Sequence, residues 1–385
     1  MSQFSWTPLG TPPTSVPSHP PPLPVSFTGN RNEFFRLVAR GAGLELVTVG
    51  FYRFWLVTDV RRHLWSDTLI DGDAAEYTGR AKELLIGFLI ALAILVPIYL
   101  AYFLIGVEAE RLKGFASFPL IAAVYVFGQF AIYRARRYRL TRTVWRGVRF
   151  WMDGSGWAYA ARATLWGLFA IVTLGIALPW RQAALERYKM QHSWYGDLQG
   201  SFEGQGWEFF KRVWWLWPLT PIAIILFPLA PFLYAYYKAV EWRWWISGIR
   251  FGGVRLQSTL RSDALFDLYW KVIGWSMLLS TAFAIVIGGF AALVAGVGHA
   301  VSGAAAPNAL ATSIPLAIVT VIGYLALALG FSVVTRLYLS RDLWVRVLAS
   351  TDVHGIEAAA NVSARGDLAS ALGEGIADGL DVAGF

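Results

Sequence analysis

The 385-residue chain contains no cysteine. This absence excludes disulfide bonds, thiolate metal ligands and cysteine nucleophiles. The sequence also lacks the fingerprints of phosphate-binding loops, dinucleotide-binding folds and G-x-S-x-G hydrolases. No two of its five histidines have a metal-ligand spacing such as i, i+4 on a helix. We therefore expect no enzymatic activity, no metal ion and no bound cofactor.

Charge is the second scarce feature, because only 15% of the residues are Asp, Glu, Lys or Arg. Four long segments carry none of them, and a shorter fifth segment is a weaker candidate: 84–107, 114–133, 213–237, 272–335 and 163–180. A membrane-spanning helix needs roughly 20 apolar residues, and a charge in hydrocarbon costs several kcal/mol. The segments predict an all-α polytopic membrane protein with about six to seven transmembrane helices and short extended or hairpin elements at the membrane surface.

The basic residues predict an orientation. Two helical hairpins are expected, at 84–135 and about 270–338, and Lys and Arg crowd their bases while their tips hold few or none. The positive-inside rule places both bases in the cytoplasm. The same distribution explains the formal net charge of +8 without nucleic acid as a partner. The expected partner is the lipid bilayer.

Several positions recur at fixed offsets, which indicates an internal repeat. Thr48 and Gly50, followed by Trp55, match Thr173 and Gly175 followed by Trp180. A second unit begins with arginines and ends at a glycine, and its copies, the last one degraded, lie at 61–79, 136–154, 187–204, 242–260 and 341–357. Each copy has the composition of a short β-hairpin at the membrane surface, with an irregular interfacial loop as the alternative.

These units supply the candidate site residues. Clustered arginines next to a membrane attract anionic lipid headgroups, although orientation and anchoring alone would also explain them. The candidate headgroup or interfacial residues are Arg62, Arg137, Arg187 and Arg243. The candidate repeat-turn glycines are Gly50, Gly72, Gly147, Gly175 and Gly253.

Two features leave the membrane architecture open. The Thr-x-Gly segments around Thr48 and Thr173 either cross the bilayer or form short re-entrant or interfacial helices. In the last hairpin, small residues four positions apart form a stripe that allows close approach of another helix, so a homo-oligomer is a candidate state. The stripe consists of Gly288, Ala292, Gly296 and Ala300.

The chain divides into three parts. Residues 1–26 are rich in proline and predict a disordered tail. Residues 27–361 form the repeat-containing membrane domain. Residues 362–385 form a C-terminal tail in which a short amphipathic, acidic helix can be drawn through Leu368, Leu372 and Ile376.

The repeat residues resemble a known family. Phe27-Thr-Gly29, Val47-Thr-Val-Gly50-Phe-Tyr-Arg-Phe-Trp55 and Leu372-Gly-Glu-Gly-Ile-Ala-Asp-Gly-Leu-Asp381 are similar to segments of the YjgN-like inner-membrane family. The resemblance implies a multi-pass protein of the bacterial cell inner membrane. It implies no activity, substrate or catalytic residue, because the function of that family is unknown.

Two functions remain after these exclusions. The first is a non-enzymatic membrane scaffold or lipid-interacting protein that uses its arginine-aromatic units against anionic headgroups. The second is a transporter or channel that binds its solute at broken, repeat-related helices. The charge-free segments favour the first, because transporters and channels usually carry ionisable residues at membrane depth.

Overall fold

The computed structural model describes residues 22–108, 113–226, 229–302 and 309–371. Helical hairpins alternate with short β-strands along these residues. The α-helices are α1 (Arg31–Val47), α2 (Arg53–Ser66), α3 (Ala81–Glu108), α4 (Lys113–Thr141), α5 (Gly156–Val172), α6 (Leu178–Gln191), α7 (Gly206–Val213), α8 (Leu216–Ile225), α9 (Ala230–Gly248), α10 (Phe266–Ser302), α11 (Ala309–Thr335) and α12 (Leu343–Ala349). A π-helix (Arg336–Asp342) joins α11 to α12, and a 3₁₀ helix (Ile356–Ala359) follows the last strand.

The strands form one antiparallel sheet. They are β1 (Leu23–Pro24), β2 (Ser26–Phe27), β3 (Thr68–Ile70), β4 (Asp73–Tyr77), β5 (Thr143–Trp145), β6 (Val148–Met152), β7 (Ser193–Tyr195), β8 (Leu198–Phe202), β9 (Ile249–Phe251), β10 (Val254–Ser258) and β11 (Thr351–His354). From β11 back to β2 each strand pairs with its neighbour in sequence, and β1 pairs with β11. Because β1 and β2 flank the single residue Val25, the sheet is a nearly closed barrel.

The all-α prediction with six to seven spans is wrong. In the part of the chain that the structure describes, three helical segments are long and apolar enough to cross a membrane: Ala81–Leu104, Phe266–Val297 and Ile314–Ala349. The charge-free segment 163–180 is divided between α5 and α6, and 213–237 is divided between α8 and α9. Charge-free length measures apolarity, but it does not reveal that the chain reverses direction within the segment.

Two-residue turns close the four hairpins β3–β4, β5–β6, β7–β8 and β9–β10. Asp71 and Gly72 have φ of 54° and 80°, and Arg146 and Gly147 have 48° and 74°. Two successive positive φ values define a type I′ turn, which matches the natural twist of a hairpin. In the β9–β10 turn, the positive φ of 54° falls on Gly252 and not on the predicted Gly253.

The two faces of the sheet differ in polarity. The apolar face carries Trp145, Tyr195 and Val353, which cluster with Ile356 and Ala359 of the 3₁₀ helix. Side chains alternate along a strand, so the neighbouring residues point to the opposite face. That face carries charged and polar residues, among them Arg149, Gln199, Arg250, Arg255 and His354.

Within the described residues, parts of both predicted tails contact the sheet or its turns. Residues 23–26, assigned to the N-terminal tail, form β1 and the start of β2. At the other end, residues 362–371 contain no helix, and Ser363 donates its hydroxyl to Asp197 Oδ2 at 2.8 Å. Residues 1–21 and most of the predicted acidic helix, with Leu372 and Ile376, lie outside the described part.

A buried ion cluster holds three helices together. Glu186 of α6 pairs with Lys189 and, at 3.6 Å, with Arg136 of α4, and it accepts a hydrogen bond of 2.9 Å from Trp245 of α9. The side chains of all three charged residues are at most 20% exposed. Burial by itself raises the pKa of the Glu186 carboxyl, but the nearby Lys189 and Arg136 outweigh it and hold that pKa below its ordinary value. The two neighbouring cations therefore favour the charged form of the Glu186 carboxylate.

Replacing Glu186 by Gln should destabilise the fold, because it leaves Lys189 and Arg136 buried without a counter-charge. Removal of one partner from a buried ion pair costs about 3 kcal/mol. Thermal unfolding in neutral detergent, followed by tryptophan fluorescence, measures the loss. The exposed Glu33→Gln serves as the control. Glu33 lies in the first turn of α1, so this change should cost only about 0.5 kcal/mol.

The same pair of proteins should show a pH dependence. A carboxyl whose folded pKa is depressed contributes stability above its unfolded pKa, about 4.3 for glutamate, and loses that contribution as pH falls through the folded value. The stability gap between wild type and Glu186→Gln should therefore shrink on acidification below that range. A gap that stays constant from neutral to acid pH would contradict the role given to the carboxylate.

Candidate functional site

The charged face of the sheet contains a large cavity. Its volume is about 1050 Å³. Its lining comes from α7, α9, the β9–β10 hairpin, the end of β11 and the residues just after it. The lining residues are Arg212, Arg243, Ser247, Arg250, Gly253, Arg255, Leu256, Gln257, Ser258, His354, Gly355 and Glu357. Four arginines face a single carboxylate in this lining, so the cavity is strongly basic.

Four separate elements bring the basic groups together. Arg212 lies in the last turn of α7, and Arg243 lies about one turn before the end of α9. Arg255 of β10 is in register with His354 of β11. α9 runs directly into β9, and a two-residue turn joins β9 to β10. These short connections keep Arg243 of the helix and Arg255 of the strand close together.

Arg250 is the structural member of the set. Its Nη1 donates to the carbonyl oxygens of Ser247 at 2.9 Å, Ile249 at 2.9 Å and Leu256 at 3.2 Å. Its Nη2 forms an ion pair of 3.2 Å with Glu203. The guanidinium therefore ties the end of α9 to both strands of the hairpin, and its charge is already partly balanced.

The other arginines are available to a ligand. Within the described residues, the guanidinium groups of Arg212, Arg243 and Arg255 form no hydrogen bond or ion pair. Arg212 and Arg255 are exposed, and Arg243 is half-buried. Guanidinium groups bind phosphate and carboxylate through paired N–H donors. Three such groups around one volume make the cavity suited to an anion.

A second cavity of about 620 Å³ adjoins the first. The two share Arg212, Ser247 and Arg250, and the second adds Arg187 together with Glu203 and Glu208. The added carboxylates weaken the positive potential there. The larger cavity is therefore the stronger anion site, and Arg187 lines only the smaller one.

The structure brings together only two of the four predicted arginines. Arg187 and Arg243 line the adjoining cavities, whereas Arg62 donates to the carbonyl oxygen of Gly79 at 3.0 Å beside a separate, shallower depression. Arg137, on α4, lines neither of the basic cavities. Whether any of the four binds a headgroup stays a prediction.

Sequence reasoning did not select Arg212, Arg255 or His354. Arg255 was visible in the repeat, because it matches Arg149 at the same offset that relates Arg243 to Arg137. The two matched residues differ in their contacts: Arg149 donates to Thr78 Oγ1 at 3.4 Å and to the carbonyl oxygen of Thr141, while Arg255 has no such partner in the described residues. The repeat identifies the position, but only the contacts distinguish the paired arginine from the free one.

The remaining predicted residues have other roles or stay untested. Gly50 and Gly175 have φ of 86° and 90° and sit in turns between helices. Among the described residues, Gly288 and Gly296 have open space at the position of a Cβ, and the side chain of Ala300 lies outside the described part. No group of His, Asp and Glu in the described ranges could hold a metal ion.

Apolar helices of membrane-spanning length joined to a nearly closed sheet of hairpins define a membrane-associated protein, and the sheet carries an anion-attracting cavity. The chain belongs to a bacterial protein family of unknown function (DUF898), known as YjgN-like, whose family model matches residues 22–234. This match confirms the resemblance seen in the sequence. It includes Arg187 and Arg212, whereas Arg243, Arg255 and His354 lie beyond it. Comparison with curated proteins and with solved structures gave no match.

The arginines of the cavity should separate into two classes on substitution. Arg250→Gln removes charge-assisted hydrogen bonds to three carbonyl groups and should cost about 2 kcal/mol of stability. Arg243→Gln and Arg255→Gln remove no hydrogen bond or ion pair with the described residues and should change stability by less than about 0.5 kcal/mol. Unfolding in detergent measures all three variants. Equal destabilisation by the three substitutions would show that Arg243 and Arg255 are also structural.

Proposed function

We propose that this protein is a non-enzymatic membrane protein that binds phosphate-bearing anions, specifically the headgroups of anionic lipids, in the basic cavity. The observation that carries the proposal is the convergence of Arg212, Arg243 and Arg255 without partners in the described residues. Arg250, in contrast, is paired with three carbonyl oxygens and with Glu203.

The position of the cavity relative to the apolar surface supports a lipid as the source of the phosphate. Arg212 is followed by Trp214, which is 56% exposed, and then by α8, where Ile225 is 81% exposed. Amphipathic tryptophan side chains prefer headgroup depth, and exposed aliphatic residues beyond them prefer hydrocarbon. Arg212 therefore lies at the level where lipid phosphates occur.

The transporter alternative lacks comparable support. Only 17%, 0% and 6% of the residues in the most apolar windows of the three candidate spans are buried. A substrate path normally runs between helices that pack on one another over much of their surface. Both basic cavities are lined by residues outside those spans.

The proposed placement is multi-pass in the bacterial inner membrane with the sheet in the cytoplasm. α3 leaves the sheet and α4 returns to it, and α10 and α11 form a second such pair. Two returning hairpins leave the sheet on one side of the bilayer. The basic residues at their bases favour the cytoplasmic side, and the recurrence of the helix-to-hairpin unit supports descent from an internal repeat.

Lipid binding to the purified protein in neutral detergent tests the proposal. Short-chain phosphatidylglycerol should bind and phosphatidylcholine of the same chain length should not. Each arginine near a membrane surface contributes about 1 kcal/mol towards anionic lipid, so Arg212→Gln/Arg243→Gln/Arg255→Gln should weaken binding at least about tenfold. Quenching of tryptophan fluorescence measures the affinity.

Arg261→Gln is the matched control, because its side chain is 82% exposed and pairs with Asp263 outside the cavity. It should bind the lipid as the wild type does. Glycerol phosphate in the same assay separates the two sources of the anion: weaker binding than the lipid supports a headgroup site, and equal or tighter binding identifies a soluble ligand. Unchanged lipid affinity in the triple variant would refute the proposed site.

A further inference from the structure

Two turns between short helices have the same backbone geometry. In Thr48-Val49-Gly50, which joins α1 to α2, φ is 51° at Val49 and 86° at Gly50. In Thr173-Leu174-Gly175, which joins α5 to α6, φ is 49° at Leu174 and 90° at Gly175. These segments are the Thr-x-Gly turns.

Hydrogen bonds inside each turn satisfy its backbone. The Thr48 hydroxyl donates to the carbonyl oxygen of Leu44 at 2.7 Å and accepts the backbone N–H of Tyr52 at 2.9 Å. The Thr173 hydroxyl does the same with Phe169 at 2.9 Å and Ala177 at 3.2 Å. One side chain thus closes the end of one helix and caps the start of the next.

Further polar groups of the turns also have partners. The N–H groups of Gly50 and Gly175 donate at 2.7 Å to the carbonyl oxygens of Glu45 and Ala170. The carbonyl oxygen of Leu174 accepts the indole N–H of Trp217 at 3.0 Å, which connects this turn to α8. A chain reversal in water can leave its polar groups to the solvent, whereas one in lipid needs internal pairing of this kind.

The residue type at the centre of each turn is unusual for an aqueous surface. A left-handed backbone favours Gly, Asn or Asp, and a β-branched residue there is strained. Yet Val49 is 88% exposed and Leu174 is 75% exposed, and Val47 and Val172 just before them are each 79% exposed. An apolar environment would compensate the strain and would explain the exposed aliphatic side chains.

The length of these hairpins limits how deeply they reach. From Arg162 to the turn at Leu174, α5 carries no charge, and at about 1.5 Å per residue this distance is roughly 18 Å. That is a little more than half of a hydrocarbon core of about 30 Å. In the other hairpin the Glu45 carboxylate is buried and forms an ion pair of 3.1 Å with Arg336. After the turns, α2 and α6 lead back to the sheet at β3 and β7.

We infer that the two Thr-x-Gly turns are immersed among the acyl chains of one leaflet, the leaflet next to the sheet, without crossing the bilayer. They add apolar volume to that leaflet alone. This inference does not depend on the basic cavity, and it stands if the cavity binds no lipid.

The absence of cysteine makes a direct measurement of depth straightforward, because one introduced thiol is the only one in the chain. Val47→Cys and Val172→Cys lie in regular helix and avoid the strained turn residues. Each variant is labelled with a nitroxide and reconstituted into bilayers of phosphatidylcholine and phosphatidylglycerol. Spin relaxation by oxygen, which concentrates in hydrocarbon, is compared with relaxation by a water-soluble nickel chelate.

We expect both labels to be oxygen-accessible, protected from nickel and short of the bilayer centre. The Val47 label should be the shallower, because Glu45 and Arg53 flank its turn. Ser201→Cys, on an exposed position of β8, is the matched control and should be nickel-accessible. Nickel access at both test sites would overturn the inference, and so would a depth beyond the bilayer centre. Val49→Asn should remain folded, because asparagine suits the left-handed backbone. A folded variant would show that the turn tolerates a substitution at this position.

Discussion

Closure of the sheet by the segment from Leu23 to Phe27 is the constraint on which the rest of the structure depends. This segment pairs with β11 through Leu23 and with β3 through Phe27. An isolated two-stranded hairpin is marginally stable in water, and an open sheet edge invites pairing with other chains. Joined in a ring, the hairpins satisfy one another. Each hairpin is connected directly to helices, so the ring also sets where those helices begin and end.

The ring gives each helix-to-hairpin junction a similar shape but a different electrostatic environment. Around β3–β4 and β5–β6, arginines such as Arg142 and Arg146 pair with Glu83 and Asp73. In the lining of the basic cavity the arginines outnumber the carboxylates, and the guanidinium groups of Arg212, Arg243 and Arg255 have no partner within the described residues. A repeated scaffold therefore carries one junction that differs in charge, and this difference, not the shared shape, marks the candidate site.

The helical hairpins fall into two classes by length, and the bilayer explains both. The long helices α3, α10 and α11 expose aliphatic surface along most of their described length, which water would penalise and lipid would not. The short pairs also expose it at their turns, where the threonine hydroxyl and the glycine N–H groups pair with backbone groups. Both features, the exposed apolar surface and the internally hydrogen-bonded turns, fit a protein that is partly in water and partly in hydrocarbon.

The sequence by itself determined the membrane association and the positions of the hairpins. Charge-free runs are expensive to expose in water, and Asp71-Gly72 and Arg146-Gly147 mark turns through local chemistry alone. It did not reveal that 163–180 reverses at Gly175 or that residues near Val25 close a ring, because strand pairing depends on contacts between distant segments. The tertiary structure alone decided which arginines stay free. Arg149 and Arg255 occupy matched sequence positions, and only their neighbours in space separate a paired charge from one available to a ligand.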